Sequence, residues 1–124
     1  MKPTRPAFAS VLAVFVLAFV ALACVSVTRL AAADARRTRD AAADAQCRHL
    51  LLAGLDRVGE SLLAGGEPDL AAPAGLLLSA EPAGGPGAFV LTASTGRRAW
   101  LAEAAWEPDH AGGWRLASTS IRPR

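Results

Sequence analysis

The stretch AFASVLAVFVLAFVALACVSVT (residues 7–28) runs without a break into RLAAADARRTRDAAADAQCRHLLLA (residues 29–53), and neither contains a Gly or a Pro. Those two residues cost about 1 and about 3 kcal/mol in a helix interior. Their absence from Ala7 to Ala53 predicts one continuous helix with two different surroundings. The part from Pro6 to Thr28 is 23 uncharged residues, mostly Val, Leu, Ala and Phe, with Ser10, Cys24, Ser26 and Thr28 as its polar or weakly polar members. That run exceeds the ~20 residues a helix needs to cross a bilayer. The part beyond it is Ala-rich and charged, as a helix in water would be. At about 1.5 Å per residue the whole would reach roughly 70 Å, more than a simple anchor needs and suited to packing beside other helices.

The stem continues from Leu30 to Leu63. Ala31-Ala32-Ala33-Asp34-Ala35-Arg36-Arg37 is echoed by Ala41-Ala42-Ala43-Asp44-Ala45-Gln46-Cys47. Arg36 and Asp40, and Asp44 and Arg48, stand at i,i+4, and Asp34 and Arg37 at i,i+3; such pairs each add about 0.2–0.5 kcal/mol to a helix. Near His49 the pattern changes. Leu51, Leu55, Val58 and Leu62 form an apolar stripe of helical period, with Leu52 and Leu63 beside it, expected to cover a sheet. Gly54 and Gly59 are unfavourable in a helix and are read as points where the sheet comes close. Gly65-Gly66 ends the helix and Pro68 prevents its resumption.

Past the linker the period falls to about 2. Short apolar runs at Gly75–Ala80, Ala88–Ser94, Arg98–Trp106 and Trp114–Ile121 are separated by Pro/Gly-rich loops and by Thr95-Gly96. The connections are too short for crossovers, so the expectation is a four-stranded antiparallel meander. Phe89, Leu91 and Ala93 share one face of their strand, as do Trp100, Ala102, Ala104 and Trp106. The opposite face, with Arg97, Arg98, Glu103 and Arg115, is expected to be wet. Trp100, Trp106 and Trp114 supply bulk to a small core otherwise built from Ala and Leu. They also suit a partner surface, since Trp is favoured at interface hot spots.

The fold class that results is α+β: a long N-terminal helix, membrane-spanning and then Ala-rich, on a small four-stranded antiparallel sheet. Its parts are a basic leader (1–6), a transmembrane helix (7–28), a helical stem (29–63), a linker (64–74) and a β domain (75–124). The chain of 124 residues has 13 basic and 11 acidic side chains and a net charge of +2, too even a balance for a nucleic-acid binder. About 60 residues from Ala64 on are few for an independent domain, so the sheet is expected to lean on the stem. Cys24 and Cys47, on one helix and roughly 35 Å apart, would be too distant to bond to each other; an intermolecular disulfide through Cys47 is the alternative to burial. Glu107, Asp109 and His110 are the only cluster resembling a cation site, with unspecific spacing. Nucleophile elbow, phosphate-binding loop and dinucleotide fingerprint are all missing. The expectation is therefore a protein without catalytic residues, cofactor or metal.

Three main fates are open to the apolar segment, with lipidation of Cys24 a minor fourth, since Ala21 stands where a lipoprotein signal would want Leu. It can remain as an anchor. It can be removed as a signal peptide before Cys24, where Ala21-Leu22-Ala23 reads as an A-x-A site. It can also be trimmed at its front. The third follows from a resemblance. Arg5-Pro6-Ala7-Phe8-Ala9-Ser10-Val11-Leu12, the stem Leu30–Gln46 and Leu52-Ala53-Gly54-Leu55-Asp56-Arg57 resemble the N-terminal half of pilin-like proteins, in particular the minor pilins of type IV pili and the tip pseudopilin of type II secretion. The resemblance implies cleavage between Ala7 and Phe8, and a non-catalytic subunit of an envelope assembly. Its partners would be membrane lipid and other pilin-like subunits. The family usually has Gly at the position of Ala7 and Glu at that of Leu12; the tip pseudopilin and some minor pilins also lack the acid. It further implies an inner-membrane, single-pass location with the sheet outside the cytoplasm. The Lys/Arg count pulls the other way, with Lys2 and Arg5 before the apolar run and Arg29, Arg36, Arg37 and Arg39 after it. The reading without the resemblance is a periplasmic or secreted small binding domain behind a signal peptide.

Overall fold

The structure, a computed structural model, describes residues 5–124; Lys2 of the basic leader lies outside the described residues. One helix, α1 (Arg5–Ala64), is followed by β1 (Leu76–Pro82), β2 (Ala88–Thr95), β3 (Ala99–Pro108) and β4 (Trp114–Pro123). The chain divides into two compact units, the second beginning at Asp40.

In the first unit every described side chain, from Arg5 to Arg39, is exposed. This includes Phe8, Phe15 and Phe19, at 68%, 70% and 73%. Uncovered aromatic and aliphatic side chains on this scale mark a surface for lipid or for another protein, and the helix is long and apolar enough to cross a membrane. The hydroxyls of Ser26 and Thr28 are accommodated within the helix. Ser26 Oγ donates to the Leu22 carbonyl at 2.9 Å, and Thr28 Oγ1 to that of Cys24 at 2.8 Å. Neither hydroxyl is left to seek a partner in hydrocarbon, where an unmade hydrogen bond is costly.

In the second unit the helix from Asp40 to Ala64 lies on a sheet of order β1-β2-β3-β4, antiparallel throughout, as the short connections required. The register aligns Ala80, Leu91, Ala102 and Ile121 across the four strands. Leu91, Ala93, Ala102, Ala104 and Trp106 are the buried residues of the sheet. The alternation expected for β2 and β3 is therefore observed, with Phe89 and Trp100 only partly covered. Between Ala105 and Trp106 the register of β3 on β4 slips, leaving Ala117 as the extra residue of a bulge.

The helix contributes Leu51, Leu55 and Val58, all buried as expected, with Leu62 packed at the rim. The stripe is wider toward its start, taking in Cys47 and Leu50. Leu52 and Leu63 do not belong to it; they are 50% and 63% exposed. Each lies one residue beyond a stripe position, a step of about 100°, which carries the side chain off the sheet. The two helix glycines mark the closest approaches. A Cβ on Gly54 would meet Leu91 Cδ2 at 2.9 Å and Leu78 Cδ2 at 3.0 Å, and one on Gly59 would meet Trp106 Nε1 at 3.3 Å. The helix stops in a Schellman arrangement: Gly65 has φ 71° and the Gly66 amide donates to the Ser61 carbonyl at 3.2 Å. The linker is tied back to the helix, because Arg57 Nη1 donates to the carbonyls of Ala71 (2.6 Å) and Asp69 (3.3 Å).

Candidate functional site

The residues singled out in the sequence do not converge on one place. Trp106 is buried beneath the helix, its ring edge-on to Phe89 with centroids 5.9 Å apart. Trp100 lies six positions away along β3, about 20 Å at ~3.4 Å per residue. Trp114 is half-buried and packs against Gly87. Bulk for the core accounts for Trp106, and the three indoles do not form a single stacking surface. Ala7 and Phe8 lie in the first turns of α1 and are exposed. Glu107, Asp109 and His110 are exposed as well, and no group of three metal-binding side chains converges among the described residues. Asp109 Oδ1 accepts the His110 amide at 2.7 Å, while Glu107 faces Arg115 at 3.9 Å.

A polar cluster joins the helix to the β2–β3 turn, and the sequence pattern pointed to different partners for it. Asp40 pairs with Arg98 at 3.0 Å. Asp44 Oδ1 accepts the indole N–H of Trp100 at 2.9 Å and lies 4.0 Å from Arg98 Nε. Arg48 stacks over the Trp100 ring, 5.7 Å from its centroid. The i,i+4 partners expected along the stem are thus replaced: Asp40 and Asp44 are directed to the sheet rather than to Arg36 and Arg48. Arg98 correspondingly leaves the wet face and bridges to the helix. Arg48 stacking and the Trp100–Asp44 bond reinforce each other, since the Asp44 carboxylate holds the ring that Arg48 covers. On the outer face Glu103 pairs instead with Arg122 at 2.6 Å.

Beneath this cluster Cys47 is fully buried, its Sγ 3.8 Å from the Arg98 carbonyl. Burial therefore describes Cys47 better than an intermolecular disulfide. Burial also pushes its thiol pKa up, the Thr95 backbone opposes the shift, and the Asp44 charge adds to it. In a Cys24→Ala background, a maleimide is expected to label Cys47 only on unfolding; ready labelling of Cys47 in the native state would show that the helix is not seated. The raised thiol also sets a pH dependence. The folded state holds its proton more tightly, so this stabilisation is complete below the unfolded thiol value of about 8.5. It is lost as pH rises through the folded value. In a Cys24→Ala background, Cys47→Ala is expected to flatten the alkaline decline in melting temperature.

The chemistry on offer is narrow. Among the described residues no polar or charged residue is buried and no buried side-chain polar atom lacks a partner. A hollow of about 510 Å³ beside the outer face of β2–β4 is lined by Ala88, Val90, Ala105, Ser118 and Ser120, with Glu103 as its charged member. It holds hydroxyls, and its one carboxylate, Glu103, is paired with Arg122 at 2.6 Å. Comparison with protein-family models, curated proteins and solved structures finds no match.

Proposed function

We propose that the protein is a non-catalytic, single-pass, pilin-like component of an envelope assembly of the type IV pilus or type II secretion kind. Its apolar helix would sit in the inner membrane or among the helices of neighbouring subunits, with the sheet displayed outside the cytoplasm. The observation that carries this reading is the division of labour along α1. Up to Arg39 it leaves all its described side chains exposed, and beyond Asp40 the same helix is the spine of the β domain. A signal peptide would have no use for that continuity, whereas a subunit that packs by its helix and presents a small sheet depends on it. The alternative, a secreted binding domain released before Cys24, predicts a different mature chain.

N-terminal sequencing of the protein recovered from its own cells separates these readings. A start at Phe8 supports the pilin-like subunit, a start at Cys24 the released domain, and an intact Met1 a plain anchor. Photo-crosslinking from Phe15 and Phe19 then tests assembly. Adducts to the apolar helices of other envelope subunits are expected; adducts to lipid alone would leave the chain an anchor and nothing more.

A further inference from the structure

The segment between the apolar run and the sheet-bearing unit carries Arg29, Arg36, Arg37 and Arg39 against one acid, Asp34, a net charge of +3. All five side chains are exposed. Among the described residues none of the four arginines has an ion-pair partner, and Asp40, the next acid along, is paired with Arg98. At about 100° per residue the four arginines fall on one half of the helix circumference, with Asp34 on the other. The Cα–Cβ bonds of a helix tilt toward its N-terminus. Here the N-terminal part is the apolar run, so the arginine side chains lean back toward it. Arg37 also borders a shallow hollow whose other walls are Val27, Leu30, Ala31, Ala33 and Asp34. Apolar wall and cationic rim therefore adjoin one another.

From this arrangement we infer that Arg29, Arg36, Arg37 and Arg39 form a binding surface for anionic phospholipid head groups. The partner is the phosphate of a lipid in the bilayer that the apolar helix enters, because the same helix places the arginines next to its apolar run. Guanidinium suits this task, since its planar fork meets phosphate oxygens in pairs. The inference rests on membrane insertion as read above, and not on the orientation of the chain or the identity of the assembly.

The test is the full chain reconstituted into phosphatidylcholine vesicles that carry a trace of spin-labelled phosphatidylglycerol or spin-labelled phosphatidylcholine. Electron spin resonance then reads the fraction of each label held at the protein. The anionic label is expected to be enriched about threefold or more over the neutral one, since each juxtamembrane Arg favours an anionic surface. Enrichment is expected to fall toward one when all four arginines become Gln, to persist when they become Lys, and to weaken in high salt. Arg97→Gln and Arg124→Gln, in the β domain, are expected to leave it intact. Equal restriction of both labels by the wild-type chain would overturn the inference while leaving insertion standing. No restricted component with either label would overturn insertion itself.

Discussion

Replacing Leu51 with Ala is expected to destabilise the β domain by about 2–5 kcal/mol. Leu51 is fully buried, in a core shared with Leu55, Val58, Leu91 and Trp106. The loss combines the transfer energy of the missing carbons with the cavity left between helix and sheet, and a sheet with few large core residues has little means of closing it. For a domain of this size each kcal/mol moves the melting temperature by about 4–8 °C. Since small domains have only about 5–15 kcal/mol in reserve, the variant should melt far below the parent. The measurement is near-ultraviolet circular dichroism of the full chain in detergent micelles, where Trp100 and Trp106 report tertiary packing. Leu55→Ala should behave alike, and Leu52→Ala, half exposed, should do little. Equal melting of Leu51→Ala and the parent would mean that the helix does not form the floor of the domain.

Gly87→Ala is the second large effect. Gly87, the turn residue just before β2, has φ 82°; its carbonyl accepts the Trp106 amide at 2.7 Å, and a Cβ there would run into the Trp106 backbone carbonyl and, at 2.9 Å, the Trp114 ring. The left-handed backbone alone costs an L-residue roughly 1–2 kcal/mol. The collision with backbone adds to it, because a carbonyl held in a sheet cannot step aside as a side chain can. Gly84→Ala provides the control: its φ is 72° and a Cβ there would meet nothing within 4 Å. Gly87→Ala is expected to lower the melting temperature by at least twice the shift of Gly84→Ala. Equal shifts would show that the strand entry yields and that the close approach to Trp106 is not rigid.

The elements were legible because their signals are local. Absence of Gly and Pro, a period-3.6 stripe, period-2 alternation and Gly-rich stops each act within a few residues. The helix glycines were legible too, since Gly54 and Gly59 made sense only if something came close. Partners across space were not legible. Asp40 and Asp44 each had an Arg at helical spacing, and nothing in the spacing reveals that Arg98, more than fifty positions on, would compete from a turn. Leu52 and Leu63 looked like stripe residues because Leu at successive positions leaves the exact face undetermined until the sheet fixes it. Leu50 was missed for the converse reason: the stripe begins a turn earlier than its run of leucines; burial of Cys47 was expected from its small apolar side chain, though not its place at the head of the stripe. The arginine excess on the membrane side was legible in the sequence; that Asp40 would turn from Arg36 to Arg98 was not.

The meander also has a consequence for the order in which the chain becomes a fold. Every strand pairs with its neighbour in sequence, so the sheet can zip by successive hairpins with short closures. The helix makes the distant contacts, such as Trp100 with Asp44 and Cys47 with Arg98. During synthesis α1 emerges first, and its stripe must wait until β2 and β3 exist before water is excluded. Docking the finished sheet onto the waiting helix is the one step with a long loop to close. A chain interrupted after β1 would thus hold a formed helix with Leu51, Leu55 and Val58 still wet, dependent for that interval on whatever apolar surface lies nearby.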